Sequence, residues 1–593
     1  MGTWMATDGE RENAQRVPGA SFPNIAAEPP HQGTGKANLL PRDPALRNLY
    51  LGAALTDIPR LLGAIDRNPY HATYGCLDRA FWHYRTASFP SEMFQEGVLP
   101  LAMVYAYEMP GNRWFGQPRV RELAIAALRF CAKSAHADGS CDDYYPFERA
   151  LGAVVFSLLA AARAFQILGL DDSALRQWFE LRGHWLVEHD ESGSLANHQA
   201  LAALGLWEVG QITGRREYQE ASRARIARLL AWQSGEGWFE EYGGADPGYH
   251  TVTIDCLARH SRQTGDPWLV APLRRAVAFA RNFLHPDGSY GGPYGSRGTC
   301  HFYPHGMELL AAGNADAADL ADGFLRSLVN AKVACMNDDR MFAHRTSNLL
   351  GAYLDWSPVR PPGSAGPPEV LRYFPQSQLV VHRNEATYSV VAGARGGVFK
   401  HFTATGVCVT DAGLVLETVS GRVAVSQRHD RRRETHVLLI AQPERADGRL
   451  ATIRIRGVLD WTRHETATPV KQALFHLGMC SVGRWCRTLV RKLLQRRLVT
   501  GRRKCPIQLT RQLELFAPPR GRNVPGLRVT DTIELLSPAL RLRRMSFGTD
   551  HETAYVAAAG FYQDSLLVPW TDLTSHVEEL NARRTVTIVR EFA

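Results

Sequence analysis

Nothing in these 593 residues reads as a membrane span: the longest apolar run, over 150–162, is too short for a bilayer and ends at Arg163. The ten cysteines form no CxxC pair, and several fall inside apolar helical patterns, so they read as small hydrophobes of a reducing compartment. The first ten residues lack a basic stretch followed by an apolar one, and Ala6 stands where myristoylation needs Ser or Thr. The expectation is a cytoplasmic protein. RNP-like, zinc-finger and helix-turn-helix signatures are absent, so nucleic acid is not an expected partner. Neither sign of charge dominates: 68 basic against 59 acidic residues leave a net charge of +9, a mild excess compatible with an anionic substrate. The rest is ordinary globular composition, 45% hydrophobic and 21% charged, in a chain long enough for two domains.

Residues 1–45 are rich in Gly, Pro, Asn and charge and predict a flexible arm. From 46 to 356 apolar residues recur at three- and four-residue spacing, over 120–135, 147–168, 173–188, 199–213, 218–233, 251–264 and 267–283. Between alternate pairs come similar Gly- and aromatic-rich loops, at 138–145, 235–242 and 286–293. Such recurrence predicts stacked helical hairpins, closed wholly or partly into an α/α toroid with a groove on the loop side. A Pro/Gly linker follows at 357–369. Beyond it, over 370–593, the apolar period changes to two, in short runs at 378–383, 387–392, 414–419, 436–441, 450–456 and 584–590. The predicted architecture is α+β multidomain, an N-terminal (α/α) toroid followed by a C-terminal antiparallel β-sandwich. One stretch breaks the strand pattern: 482–504 is strongly basic and helical in spacing.

The chain is organised around 237–250, where glycines and aromatics lead through Pro247-Gly248 into a helix starting near Thr251. Tyr249 and His250 therefore sit where a loop meets a rigid element, and Asn197-His198 heads another apolar helix. The two pairs are expected to face one cleft. Removing a weakly acidic C–H beside a carboxylate needs donors that neutralise the carboxylate, a base for the carbon and an acid for the leaving oxygen. Asn and His suit the first task, Tyr or His the second. A tyrosine base needs nearby positive charge to lower its pKa, and Arg297 in its glycine-rich loop is the candidate source, with His301 and His305 close behind it. The bland readings are a helix cap for Asn197, satisfied core groups for the histidines and a packing aromatic for Tyr249.

Asn197-His198, then Phe239-x-Glu241 and Asp246-Pro-Gly-Tyr249-His250, resembles the heparinase II/III-like group of polysaccharide lyases. That resemblance implies a toroid joined to an antiparallel sandwich and β-elimination on uronic-acid glycans; no cofactor is expected, and no metal, since a zinc site in the sandwich has no clear ligands in this sequence. It implies that Asn197 and His198 neutralise the uronate carboxylate and that Tyr249 transfers protons. A catalytic histidine from the sandwich is implied as well, for which His401 is the nearest candidate, without the group's fuller motif. Tyr84 and Gln95, in segments that also resemble the group's toroid, join Glu241, Tyr242, His250, Arg297, His301 and His305 as expected substrate contacts. The absent leader points to action on oligosaccharides inside the cell, or beside exopolysaccharide synthesis.

Two rivals stay open. Asp142-Asp143, Glu240-Glu241 and Asp246 allow a glycoside hydrolase, although neighbouring carboxylates cannot both face one point on a strand. A non-catalytic glycan-binding protein would keep the groove without turnover. The basic insert carries apolar residues on one helical face and arginines on the other, with Trp485 among them. It reads either as a peripheral contact with an anionic inner membrane or as a helix docked on the sandwich with its basic face in water.

Overall fold

The computed structural model describes residues 40–593, apart from 192, 337–339, 363–369, 386, 404, 441–447, 463–466, 517–525, 551–560 and 593. Most of the expected arm lies outside the described residues. Within them, Leu40–Pro41 pairs antiparallel with Val359–Arg360, and Arg360, fully buried, reaches Glu308 at 2.6 Å and Asp322 at 2.9 Å. The start of the expected linker is thus anchored to the helices.

Helices fill the first half in alternation. Leu151–Ile167, Ala196–Thr213 and Pro247–Thr264 are buried on nearly every side, the last two taking polar side chains such as Glu208, Asp255 and His260 inside with them. Pro118–Ser134, Arg216–Ala231 and Val270–Ala280 bury one face only. The fully buried helices form an inner ring. Val98–Ala106 packs on Leu151–Ile167, then Ala196–Thr213, Pro247–Thr264, His305–Ala311 and Phe342–Leu354 follow in turn, and the last packs back on the first. The toroid is closed.

The second half is antiparallel. A five-stranded sheet runs through Val370–Phe374, Leu379–Arg383, Tyr388–Ala392, Val398–Phe402 and Cys408–Asp411. A nine-stranded sheet has Arg449–Trp461, Lys504–Phe516 and Leu527–Leu535 at its centre. Val380, Val391 and Phe399 face the larger sheet, packing on Ile453, Leu513 and Val529. Val381, Tyr388, Val390 and Phe402, pointing the other way, join the core of the toroid with Phe279, Phe283 and Tyr294. The small sheet is therefore covered on both faces, which is why Tyr388–Ala392 and Val398–Phe402 are buried throughout instead of alternating.

The basic insert differs from its predicted bounds. Helical turns run over 469–500, and Lys504 already opens a strand. It also lies elsewhere: it docks on the rim of the toroid, where Phe475 meets Tyr145 edge-on at 5.3 Å and Arg491 pairs with Glu191 at 2.5 Å. Among the described residues no helix is long and apolar enough to cross a membrane.

Candidate functional site

The loop 237–246 and the head of the Asn197 helix are joined by backbone before any side chain is considered. Leu195 bridges Glu241, Ala196 N donates to Glu240 O at 3.1 Å, and Ser296 Oγ donates to Glu241 O at 2.8 Å. Tyr242 turns the loop in the left-handed region at φ 53°, followed by Gly243 at 86°. This brings Glu241 beneath the helix N-terminus, where its carboxylate accepts from Asn197 N at 2.8 Å and from Asn197 Nδ2 at 2.9 Å. Both donors of Asn197 are thus committed to an internal carboxylate. Glu241 is fully buried and positions Asn197 through these bonds.

Burial pushes the Glu241 carboxyl up to about 8, against the hydrogen bonds from Asn197 that favour the ion. The folded state thus holds this proton more tightly than an unfolded chain does. The associated stability is fully present below the ordinary carboxylate range and is lost as pH rises through about 8. The Tm is expected to decline across that window, and Glu241→Gln to flatten the decline. Parallel Tm profiles for the two proteins would contradict the assignment.

Asp246 fixes the other wall. As N-cap of Pro247–Thr264 it accepts from Tyr249 N at 3.1 Å, and it also holds the glycine-rich loop through Arg297 N at 2.9 Å, Thr299 N at 3.3 Å and the Thr299 hydroxyl. Gly248 permits this closeness, because a Cβ there would collide with Thr299 and press on the His301 ring. The Arg297 guanidinium consequently lies over the Tyr242 ring at 3.8 Å, and the Tyr249 ring meets His301 edge-on at 5.0 Å. Burial raises the Tyr249 phenol above its ordinary value, and Arg297 only partly opposes this. The phenol rests protonated, a proton donor and not the base that positive charge was expected to make of it. Among the described residues its hydroxyl has no hydrogen-bond partner.

His198 Nδ1 lies 2.8 Å from Glu191 Oε2, while Glu191 Oε1 is paired with Arg491. A carboxylate only accepts, so Nδ1 carries the hydrogen, and the neutral tautomer that results has its lone pair on Nε2. This orientation makes His198 a base, and its side chain is 19% exposed. A chain of ring contacts links it to Tyr249: His198 to Phe156 at 6.0 Å, Phe156 to His344 at 5.1 Å, His344 to Tyr303 at 5.1 Å, Tyr303 to His301 at 5.2 Å. His344 is held by Glu96 at 2.9 Å, and burial drives the His301 pKa down to about 3, leaving that ring neutral. Glu191, Tyr303 and His344 were not singled out in the sequence, while Asp246 stood there only as part of a motif and Arg491 only as part of the basic insert. Glu191, seven residues before His198, carried the only local signal, a His–carboxylate spacing that closes across an irregular loop.

Several expected site residues lie elsewhere. Tyr84 is 60% exposed, with Arg79 over its ring. Gln95 is buried, accepting from Leu77 N and donating to Gly75 O and Ala127 O. His250 points outward to Ala276 O at 2.9 Å, and His305 is held by Asp355 at 2.8 Å. His401 is the clearest correction. It shares strand parity with Phe399, so it faces the larger sheet, bonded to Ser389 Oγ at 2.8 Å and packed on Gly526. The sandwich histidine that does reach the toroid loop is His429, whose ring a Cβ on Gly244 would strike.

No family model matches the chain, and no curated protein matches it. Solved structures of similar course include a xanthan lyase from Paenibacillus, 11% identical with TM-score 0.45, the match covering 85% of this chain and 46% of that one. The chain thus spans about half the length of that lyase. A chondroitin AC lyase from Streptomyces coelicolor A3 is 13% identical with TM-score 0.42, covering 86% and 72%. An unsaturated glucuronyl hydrolase from Bacillus sp. GL1 is 14% identical with TM-score 0.37, covering 52% and 96%. Likeness at this level carries no argument about what the site does.

Proposed function

We propose that the protein is a polysaccharide lyase that cleaves uronic-acid-containing anionic glycans by β-elimination. What supports this most is a histidine whose Nδ1 is fixed on Glu191, His198, together with a buried tyrosine, Tyr249, whose phenol feels the opposing charge of Arg297. Arg297 receives the uronate carboxylate, so that charge spreads into it as the neighbouring carbon loses its proton. His198 Nε2 takes that proton, and Glu191 stabilises the imidazolium formed. The C–O bond β to the carboxylate breaks, its electrons leave with the glycosidic oxygen, and Tyr249 supplies that oxygen with a proton. A carbon–carbon double bond remains in the sugar. The proton taken by His198 passes to solvent, and Tyr249 is reprotonated.

A hydrolase needs two carboxyl groups turned to one bond. Asp142 is occupied by Phe147 N, Arg149 N and His136, and Asp143 by Ser91 and Arg340. Glu241 is held by Asn197 and Asp246 by Arg297 N and Thr299, so the lyase reading is preferred.

A panel of uronic-acid glycans followed in the ultraviolet tests it. A lyase yields an absorbing double bond, a hydrolase only reducing ends and a binding protein neither. Arg297→Gln is expected to lower kcat/KM on uronates by about 10²-fold. The same glycans with their carboxyl groups reduced should be poor substrates of the wild type. Equal cleavage of reduced and native glycans would remove the carboxylate from the mechanism.

A further inference from the structure

The insert 469–500 is built the wrong way round for a helix that merely docks. A surface helix ordinarily turns its apolar stripe to the protein and its charges to water. Here the inward face carries Arg491, ion-paired with the fully buried side chain of Glu191, together with the partly buried Arg487. The outward face carries Trp485, Leu489 and Leu493, four residues apart, with exposures of 79%, 59% and 57%. Leu474, Leu477 and Val482 extend this surface at 65%, 66% and 69%. Exposed cations, Arg484, Lys492 and Arg496, edge the stripe.

The charge of the segment identifies what would cover it. Residues 469–504 contain ten basic and no acidic residues, while the whole chain has an excess of only nine positive charges. The insert proper, 469–500, carries seven of these basic residues, so most of the positive excess of the molecule is concentrated around an exposed apolar surface. A polyanion in water would satisfy the arginines and leave Trp485 and the leucines uncovered. An anionic bilayer satisfies both, because indole and leucine enter the headgroup boundary while Lys and Arg remain at the phosphates.

We propose that the insert 469–500 docks this protein on an anionic lipid bilayer, with the Trp485–Leu489–Leu493 stripe as its inserting edge. The helix lies in the plane of the interface and does not cross it. Its other side stays on the toroid through Arg491, so the protein meets lipid beside the candidate site.

Flotation of the full-length protein tests this, with vesicles of phosphatidylglycerol and phosphatidylcholine compared against phosphatidylcholine alone, at low salt. Most of the protein is expected to float with the anionic vesicles and to stay behind with the neutral ones. Trp485→Ser combined with Leu489→Ser and Leu493→Ser should reduce the partition coefficient by at least about tenfold. These side chains are exposed, so an unchanged Tm serves to show that the variant is folded. Lys492→Gln with Arg496→Gln should weaken binding by about fivefold per charge removed. Absence of flotation with anionic vesicles overturns the proposal, as does equal flotation with neutral ones. Flotation that the triple substitution leaves intact also overturns it, since attraction of the arginines alone would then account for binding.

Discussion

Tyr249→Phe is expected to lower kcat by about 10²–10⁴-fold, the range that a lost general acid produces, with little change in KM or Tm. Stability should hold because the hydroxyl has no hydrogen-bond partner among the described residues, and the ring that meets His301 is kept. The pH profile of the wild type carries independent information. Burial raises the phenol above its ordinary value, so the acid form persists through the range where a free tyrosine would begin to ionise. Activity should not decline there on account of Tyr249. A Phe variant retaining full turnover, measured by the appearance of the double bond, would transfer the acid role to another group.

Asp246→Ala should have the largest effect on the fold of the site. One carboxylate caps Pro247–Thr264 and holds Arg297 N, Thr299 N and the Thr299 hydroxyl. Losing the cap costs about 1 kcal/mol, and each buried donor left unmatched about 1–3 kcal/mol more. A total of about 4–10 kcal/mol is a large share of the 5–15 kcal/mol that typically separates folded from unfolded states. Turnover should fall as well, because the loop carrying Arg297 is released from the Tyr249 helix. Asp246→Asn keeps an acceptor oxygen and should lie between wild type and Ala in both respects. Denaturant midpoints and kcat read the two effects, and an Ala variant unchanged in both would remove Asp246 from the account.

The parts of the site that the sequence disclosed are those fixed by local grammar. A Pro-Gly step into an apolar helix marks Tyr249, a polar pair ahead of another marks Asn197 and His198, and the glycine-rich loop marks Arg297. What remained hidden depends on distance along the chain or on parity. Arg491 reaches Glu191 from an insert in the other half of the sequence, and His344 and Tyr303 join the site only through ring contacts. His250, one residue past Tyr249, is turned by about 100° around the helix and faces Ala276. His401 is one strand position from Lys400, and a single step exchanges the faces of a sheet, so the strand could be recognised without knowing which way the histidine points. The insert posed the same difficulty at helical period: its two faces were legible, but not which of them the toroid would take.

The small sheet between toroid and larger sheet imposes an order on synthesis. A ribosome delivers the ring of helices first, and domains generally fold as they emerge. The surface around Phe279, Phe283 and Tyr294, however, is completed by Tyr388, Val390 and Phe402, and the far side of those strands by Leu513 and Val529. The nascent ring therefore exposes an apolar underside until the strands arrive, and the far side of those strands is covered only once Leu513 and Val529 have followed.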